Sequence, residues 1–113
     1  MGIFDFLKKK APINFSDENV SELTLKSDLL GQTLIDNGMG FYVDYLSQIR
    51  LAADNKNDTE FKKLVLKSGL FRGNSSLRDI QMKSPSENRK FNSQFYQYVN
   101  LINRMGIRKK QIS

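Results

Sequence analysis

The sequence predicts an all-α fold, a small single-domain bundle of about four helices. Three observations predict it. Apolar residues recur at helical spacing in four stretches, the links between those stretches are short, and a chain of 113 residues can bury one hydrophobic core without disulfides. We therefore treat residues 1–113 as one domain.

The first predicted helix begins at a capping box formed by Asn19 and Glu22 and ends at the turn-forming pair Asn37-Gly38. Leu23 and Leu25 alternate in a way that would also suit a strand, so only the first turn of this helix is ambiguous. Its core-facing positions are Val20, Leu23, the small Ser27, Leu30 and Leu34, with Leu25 and Leu29 widening the stripe.

Two shorter helices follow. One runs from about Phe41 to Asp54 and is broken by the polar run DNKND. The next starts at a second box, Asn57 with Glu60, and ends at Gly69. The predicted core positions of the two helices are Tyr42, Tyr45, Leu46, Ile49, Ala52, Ala53, Phe61, Leu64, Val65 and Ser68.

An irregular segment, about residues 70–84, precedes the last helix. Within it, Ser76 to Met82 could form a short helix, a strand or extended chain. Ser84 caps the last helix, Pro85 occupies its first position, and the helix ends at Gly106. Residues 1–15 read as an amphipathic segment with a connector, and residues 107–113 as a basic, flexible tail.

The middle of the chain resembles a loose group of small uncharacterised bacterial helical proteins. The likeness covers about Leu23 to Ile102 and rests on the stretches FYVDYLSQIRLAADN, DTEFKKLVL, GNSSLRDI and ENRKFNSQF. That group has a Gly-rich, GGMGSLND-like segment before its last helix, whereas here the cluster is reduced to Gly73. The resemblance implies a single helical domain and no known activity.

Composition excludes several classes of function. The chain has neither cysteine nor histidine, so it lacks thiolate sites and the commonest general base and metal ligand. The opening MGIFDFLKKK is unlike a secretory signal because its apolar part is short, contains Asp5 and precedes the lysines. We expect a cytoplasmic protein with no cofactor.

No spacing indicates catalysis or a metal site. Lys67-Ser68 and Lys83-Ser84 are adjacent pairs whose side chains diverge on a helix. A calcium-type loop beginning at Asp54 fails, since Thr59 stands where glycine is required and Val65 where glutamate is required. The sequence therefore predicts no catalytic and no metal-binding residues.

Charge provides the main functional signal. The net charge of +6 combines an acid-rich stretch, residues 11–60, with a basic one, residues 61–113. We expect a non-catalytic protein-interaction module of toxin-neutralising or adaptor type, because opposite charge in two halves would steer a charged partner. Its predicted contact residues, near the irregular segment, are Arg72, Asn74, Arg78 and Asp79.

Two alternatives stay open. The basic half could bind nucleic acid through its lysines and arginines, with a strong dependence on salt. The first ten residues could instead attach the protein to a membrane surface, or pack on the bundle, which needs nothing extra. The membrane-contact residues would be Ile3, Phe4, Phe6, Leu7, Lys8, Lys9 and Lys10.

Overall fold

The computed structural model describes residues 12–67, 70–71, 76–108 and 112. These residues form four α-helices and two single-turn 3-10 helices, with no strand among them, which confirms the all-α bundle. The α-helices are α1 (Asp17–Asp36), α2 (Val43–Asp54), α3 (Asp58–Lys67) and α4 (Pro85–Met105); the 3-10 turns are Gly40–Tyr42 and Leu77–Asp79.

The start of α1 differs from the prediction. Its cap is Ser16, whose hydroxyl accepts a hydrogen bond from the Asn19 amide at 3.2 Å, so the predicted cap at Asn19 is wrong. Both residue types suit a cap, but a start at Ser16 places Asp17 and Glu18 in the first turn. Carboxylates there complement the positive end of the helix dipole.

The second helix, predicted from about Phe41, begins at Val43 after the 3-10 turn, and the other predicted helix boundaries are confirmed where the structure describes them. Asn57 accepts from the Glu60 amide at 3.1 Å at the start of α3, and Ser84 accepts from the Glu87 amide at 3.2 Å at the start of α4. α4 ends at Gly106, whose φ of 137° favours glycine. Ser68 and Gly69, predicted at the end of α3, lie outside the described residues.

One core joins all four helices. Its aromatic centre comes from α4 and the segment before it: the Phe71 and Tyr98 rings stack with centroids 5.9 Å apart, as do those of Phe91 and Phe95. The segment predicted as irregular contributes Phe71, Leu77 and Met82 to this core, with a single 3-10 turn between extended residues. The described part of this segment therefore packs firmly into the core although it forms no α-helix.

Three predicted apolar positions lie on the surface instead. Leu25 and Leu29 are 58% and 47% exposed, and Tyr45 is 40% exposed. Each residue turns an α-helix by about 100°, so Leu25 points roughly opposite to Leu23, which is fully buried. The buried stripe of α1 is thus narrower than the apolar content of its sequence suggests.

Both ends of the described chain pack on the core. The Ile13 amide donates to an Asp58 carboxylate oxygen at 2.7 Å, and the Asn14 amide donates to the Met105 carbonyl at 2.8 Å. In the tail that the sequence predicts to be flexible, Ile107 and Ile112 are buried. Isoleucines in a basic tail supply the apolar surface that holds those positions.

α1 occupies a central place in the bundle. It packs against α4 on one flank and against α2 on the other, while α3 packs against α2. No helix within residues 12–67 or 76–108 combines the length and apolar character needed to cross a bilayer.

Candidate functional site

Of the predicted contact residues, only Arg78 has a described side chain. Its Nε donates to the Phe71 carbonyl at 3.0 Å, its Nη2 donates to the Ile112 carbonyl, and its guanidinium lies 5.2 Å from the centre of the Phe95 ring. Arg78 thus joins the irregular segment, the tail and α4, and these donors serve the fold.

The structure describes less of the other predicted site residues. Asp79 closes the 3-10 turn, but its side chain lies outside the described residues, as do Arg72 and Asn74. The membrane-contact residues, within 1–10, lie outside as well.

The two oppositely charged regions of the sequence meet along the α1–α4 contact. Glu22 of α1 pairs with Arg104 of α4, and within α4 Glu87 pairs with Lys90 at 3.3 Å. Among the described residues, Glu22–Arg104 is the one ion pair that crosses this contact. The acids of α1 and α2 that form no ion pair with any described residue are Asp17, Glu18, Asp28, Asp36, Asp44 and Asp54.

A cleft of about 230 Å³ lies between α1 and α2, and we call it the α1–α2 cleft. Gly31 of α1 and Val43 and Leu46 of α2 give it an apolar lining, and Ile35 lies at the end near the helix connection. Ser27, Asp28, Gln32, Ser47 and Arg50 complete the lining. The cleft therefore has an apolar end and a charged end.

Exposed apolar residues border the apolar end. Ile35 is 52% exposed and Phe41, in the 3-10 turn, is 68% exposed. A Cβ added at Gly40 would lie 3.6 Å from Cγ1 of Ile35, which places the Phe41 turn directly beside that residue. Exposed apolar residues grouped at the mouth of a cleft are typical of an interaction surface.

The charged end holds two opposite charges that do not pair. Asp28 on α1 and Arg50 on α2 line the same cleft, yet neither forms an ion pair with a described residue. Both groups can therefore accept a charged ligand without losing an existing bond.

Gly31 is not required by the packing of the two helices. A Cβ at this position would lie 3.6 Å from the nearest Val43 methyl, which is an ordinary van der Waals contact. Glycine inside a helix costs about 0.5–1 kcal/mol relative to alanine. Its effect here is to keep the cleft open. A glycine inside a predicted helix was the signal in the sequence that could have indicated this site.

Ser27 lies behind the cleft against α4. Burial raises the pKa of Tyr98, and the nearby Ser27 hydroxyl opposes that rise; neither hydroxyl has a hydrogen-bond partner among the described residues. Tyr98 is therefore neutral near pH 7 and carries no charge into the core.

A second cleft, of about 190 Å³, lies between α2 and α3 and includes Leu51 and Leu64. Its charged residue, Glu60, already pairs with Lys63 at 3.9 Å. In the described part of the chain, no group of three acidic, cysteine or histidine side chains could hold a metal ion. The α1–α2 cleft is the site with unpaired charges of both signs.

Comparison with known proteins found no matching family, no matching curated protein and no matching solved structure.

Proposed function

We propose that the protein is a non-catalytic protein-interaction module that binds a partner through the α1–α2 cleft. The partner would supply a segment that is both apolar and positively charged. The observation that carries this proposal is an exposed apolar residue, Ile35, and an unpaired carboxylate, Asp28, lining one cleft, with exposed Phe41 in the turn beside it. The proposal includes the cytoplasmic setting expected from the sequence.

Charge supports a cationic partner segment. Six acids of α1 and α2 form no ion pair with a described residue, whereas Arg50 is the one cation lining the cleft. Such a surface favours fast encounter with a positively charged partner and suppresses acidic ones.

Geometry supports an apolar anchor. A partner helix laid between two helices places apolar side chains at i, i+3 or i+4 into the groove. Residues that bind most strongly in such contacts are large side chains that fill a pocket and exclude water. Gly31 and Val43 leave room for one such side chain beside Ile35.

Nucleic-acid binding has weaker support. Among the described cations of the basic half, Lys90 and Arg104 pair with carboxylates and Arg78 donates to backbone carbonyls. Exposed and unpaired Lys83, Arg89 and Arg108 remain, and they are divided between the two ends of α4. Among the described residues, the cations free to contact phosphate are therefore few.

Photo-crosslinking in the native cell tests the proposal. A photoreactive residue at Gln32, on the rim of the cleft, should yield an adduct with one protein through a segment rich in lysine and apolar residues. Phe41→Ser should reduce the yield at least fivefold because it removes an exposed anchor. The matched control is Tyr96→Ser, which removes an aromatic residue of similar exposure, 57%, from α4.

Two results would contradict the proposal. Equal loss with Phe41→Ser and Tyr96→Ser would show that the cleft is not the contact surface. An adduct that nuclease removes, and whose formation falls steeply as salt rises, would make the protein a nucleic-acid binder instead.

A further inference from the structure

We propose that the α1–α2 cleft selects a partner helix that carries an acidic residue one helical turn before a basic one. The inference rests on the proposed function, which assigns that cleft as the binding site, and it adds what the partner must present. Asp28 and Arg50 are then the specificity-determining residues, because each pairs with one charge of the partner helix.

The groups that line the cleft follow a fixed order along its length. α2 runs back along α1, and a Cβ at Gly31 would lie 3.6 Å from a methyl of Val43, the first residue of α2. Arg50 lies seven residues beyond Val43, about 10 Å towards the start of α1. Asp28 lies about 4.5 Å from Gly31 in that same direction, and Ile35 lies about 6 Å from Gly31 in the opposite direction. The order from the start of α1 is therefore Arg50, Asp28, Gly31 and Ile35.

These four levels match one face of an α-helix. They are separated by about 6, 4.5 and 6 Å, which are the rises of four, three and four helical residues. Side chains with that spacing lie on one face of a helix. A partner helix laid along the cleft therefore presents an acid to Arg50 and a base to Asp28. Its next two residues on that face are apolar and cover Gly31 and Ile35.

Both charged groups of the cleft are available to a partner. Neither Asp28 nor Arg50 forms an ion pair with a described residue, and no third described charge lines the cleft. A purely apolar helix would cover these charges without pairing them, which costs free energy. A helix with its two charges exchanged would meet like charge at both levels, so the cleft rejects it as well.

Helix electrostatics set the direction of the partner chain. A glutamate four residues before a lysine stabilises a helix, and this order is better than the reverse. An acid is also favoured near the N-terminal end of a helix. With its acid at Arg50, the partner helix starts near the first turns of α1 and runs parallel to α1. Its sequence is thus an acid, a base four residues later, an apolar residue three residues after that, and a second apolar residue four residues farther on.

Designed peptides test the inference on the full chain. The probe is a helical peptide of about 17 residues, built from alanine and glutamine, that carries glutamate, lysine and two leucines at this spacing. Titrated into ¹⁵N-labelled protein, it should shift the amide signals of Gly31, Ser47 and Arg50 with a Kd below about 1 mM. A peptide with glutamate and lysine exchanged and both leucines kept should bind at least fivefold more weakly.

Charge reversal on the protein separates specificity from loss of the fold. Asp28→Lys should weaken binding of the probe at least fivefold and strengthen, by a similar factor, binding of a peptide whose lysine is replaced with glutamate. An unfolded variant cannot gain one ligand while it loses another. Glu18→Lys is the matched control: Glu18 is an unpaired acid of α1 about 15 Å from Asp28, beyond the Debye length of about 8 Å at 0.15 M salt. It should change either affinity less than twofold.

Three results would overturn the inference. They are the absence of shifts at the cleft amides with the probe at about 1 mM, equal affinity for the probe and the exchanged peptide, and a loss of both peptides in Asp28→Lys. The proposed function fails separately, when partner capture in the cell does not distinguish Phe41→Ser from Tyr96→Ser. Capture that distinguishes those two variants, together with peptides that bind equally, would keep the proposed function and refute the charge pairing.

Discussion

The two flanks of α1 are built differently. Towards α4, polar side chains bridge the helices along their length: Glu22 to Arg104, Lys26 to Gln97 at 3.4 Å, Thr33 to Gln94 at 2.6 Å and Asn37 to Glu87 at 2.9 Å. Towards α2, the polar residues of the cleft make no bond across the two helices. The α1–α4 flank is therefore closed by bonds between polar side chains, and the polar side chains on the α1–α2 flank are free of bonds across the two helices.

Within α1, the bonds that hold the fold therefore lie on a different flank from the proposed binding cleft. Asn37 shows how the closed flank is fixed. Its side-chain nitrogen donates to the Thr33 carbonyl and to Glu87, and its oxygen accepts from the Lys83 amide at 2.8 Å. One buried amide therefore ties the end of α1 to the start of α4.

The largest expected effect comes from breaking that tie. Asn37→Ala removes three hydrogen bonds and leaves buried polar groups without partners, which should lower the free energy of unfolding by about 2 kcal/mol. Gln32→Ala, on the open flank, removes one exposed bond to Asp36 and should change it by less than about 0.5 kcal/mol. Urea denaturation measures both, and equal losses would erase the distinction between the flanks.

The closed flank should also depend on pH. A hydrogen bond from Asn37, and then the neighbouring Lys90, lower the pKa of Glu87 below its ordinary value of 4.5. The folded state therefore binds this proton less tightly than the unfolded chain. Its stabilising contribution is complete above about pH 4.5 and is lost as the pH falls through the lowered pKa.

Glu87→Gln tests this dependence. The stability difference between wild type and Glu87→Gln should be present at pH 7 and shrink towards pH 2, as followed by urea denaturation at each pH. In the Asn37→Ala background the same substitution should show a smaller pH dependence, because the main cause of the shift is gone. A difference that stays constant with pH would rule this coupling out.

The smallest expected effect lies on the open flank. Gly31→Ala should raise the free energy of unfolding by about 0.5–1 kcal/mol, because the helix gains propensity and the added Cβ meets Val43 at ordinary contact distance. Gly38→Ala is the matched control: its φ of 77° strains an L residue, so it should destabilise by about 1 kcal/mol. Thermal unfolding distinguishes the two, and a destabilising Gly31→Ala would mean that packing needs this glycine.

Local signals in the sequence predict most of the fold. Ser84 with Pro85 marks the start of α4, and Gly106 marks its end, because capping and positive φ are properties of a few neighbouring residues. The cap of α1 was misplaced because Ser16 and Asn19 are both suitable, and only the two acids in the first turn distinguish them. The two candidate caps lie within one helical turn of each other, so the error in the predicted start of α1 is small.

The candidate site depends on contacts that no local pattern contains. Asp28 and Arg50 are distant in sequence and meet only when α1 packs on α2. Arg78 looks like an available cation in the sequence, but folding brings it to carbonyls of Phe71 and Ile112. Which charges remain unpaired is decided by tertiary packing, so the sequence can name candidates without ranking them.

A side chain that fills the α1–α2 cleft should abolish partner binding without unfolding the bundle. In Gly31→Leu the new side chain enters the open space beside Val43, and both stability and partner crosslinking from a photoreactive residue at Gln32 are measured on the same preparation. We predict a free energy of unfolding within about 1 kcal/mol of wild type and at least a tenfold loss of partner adduct. Unchanged adduct yield in the folded variant, or a variant that fails to fold, would contradict the separation of binding from stability.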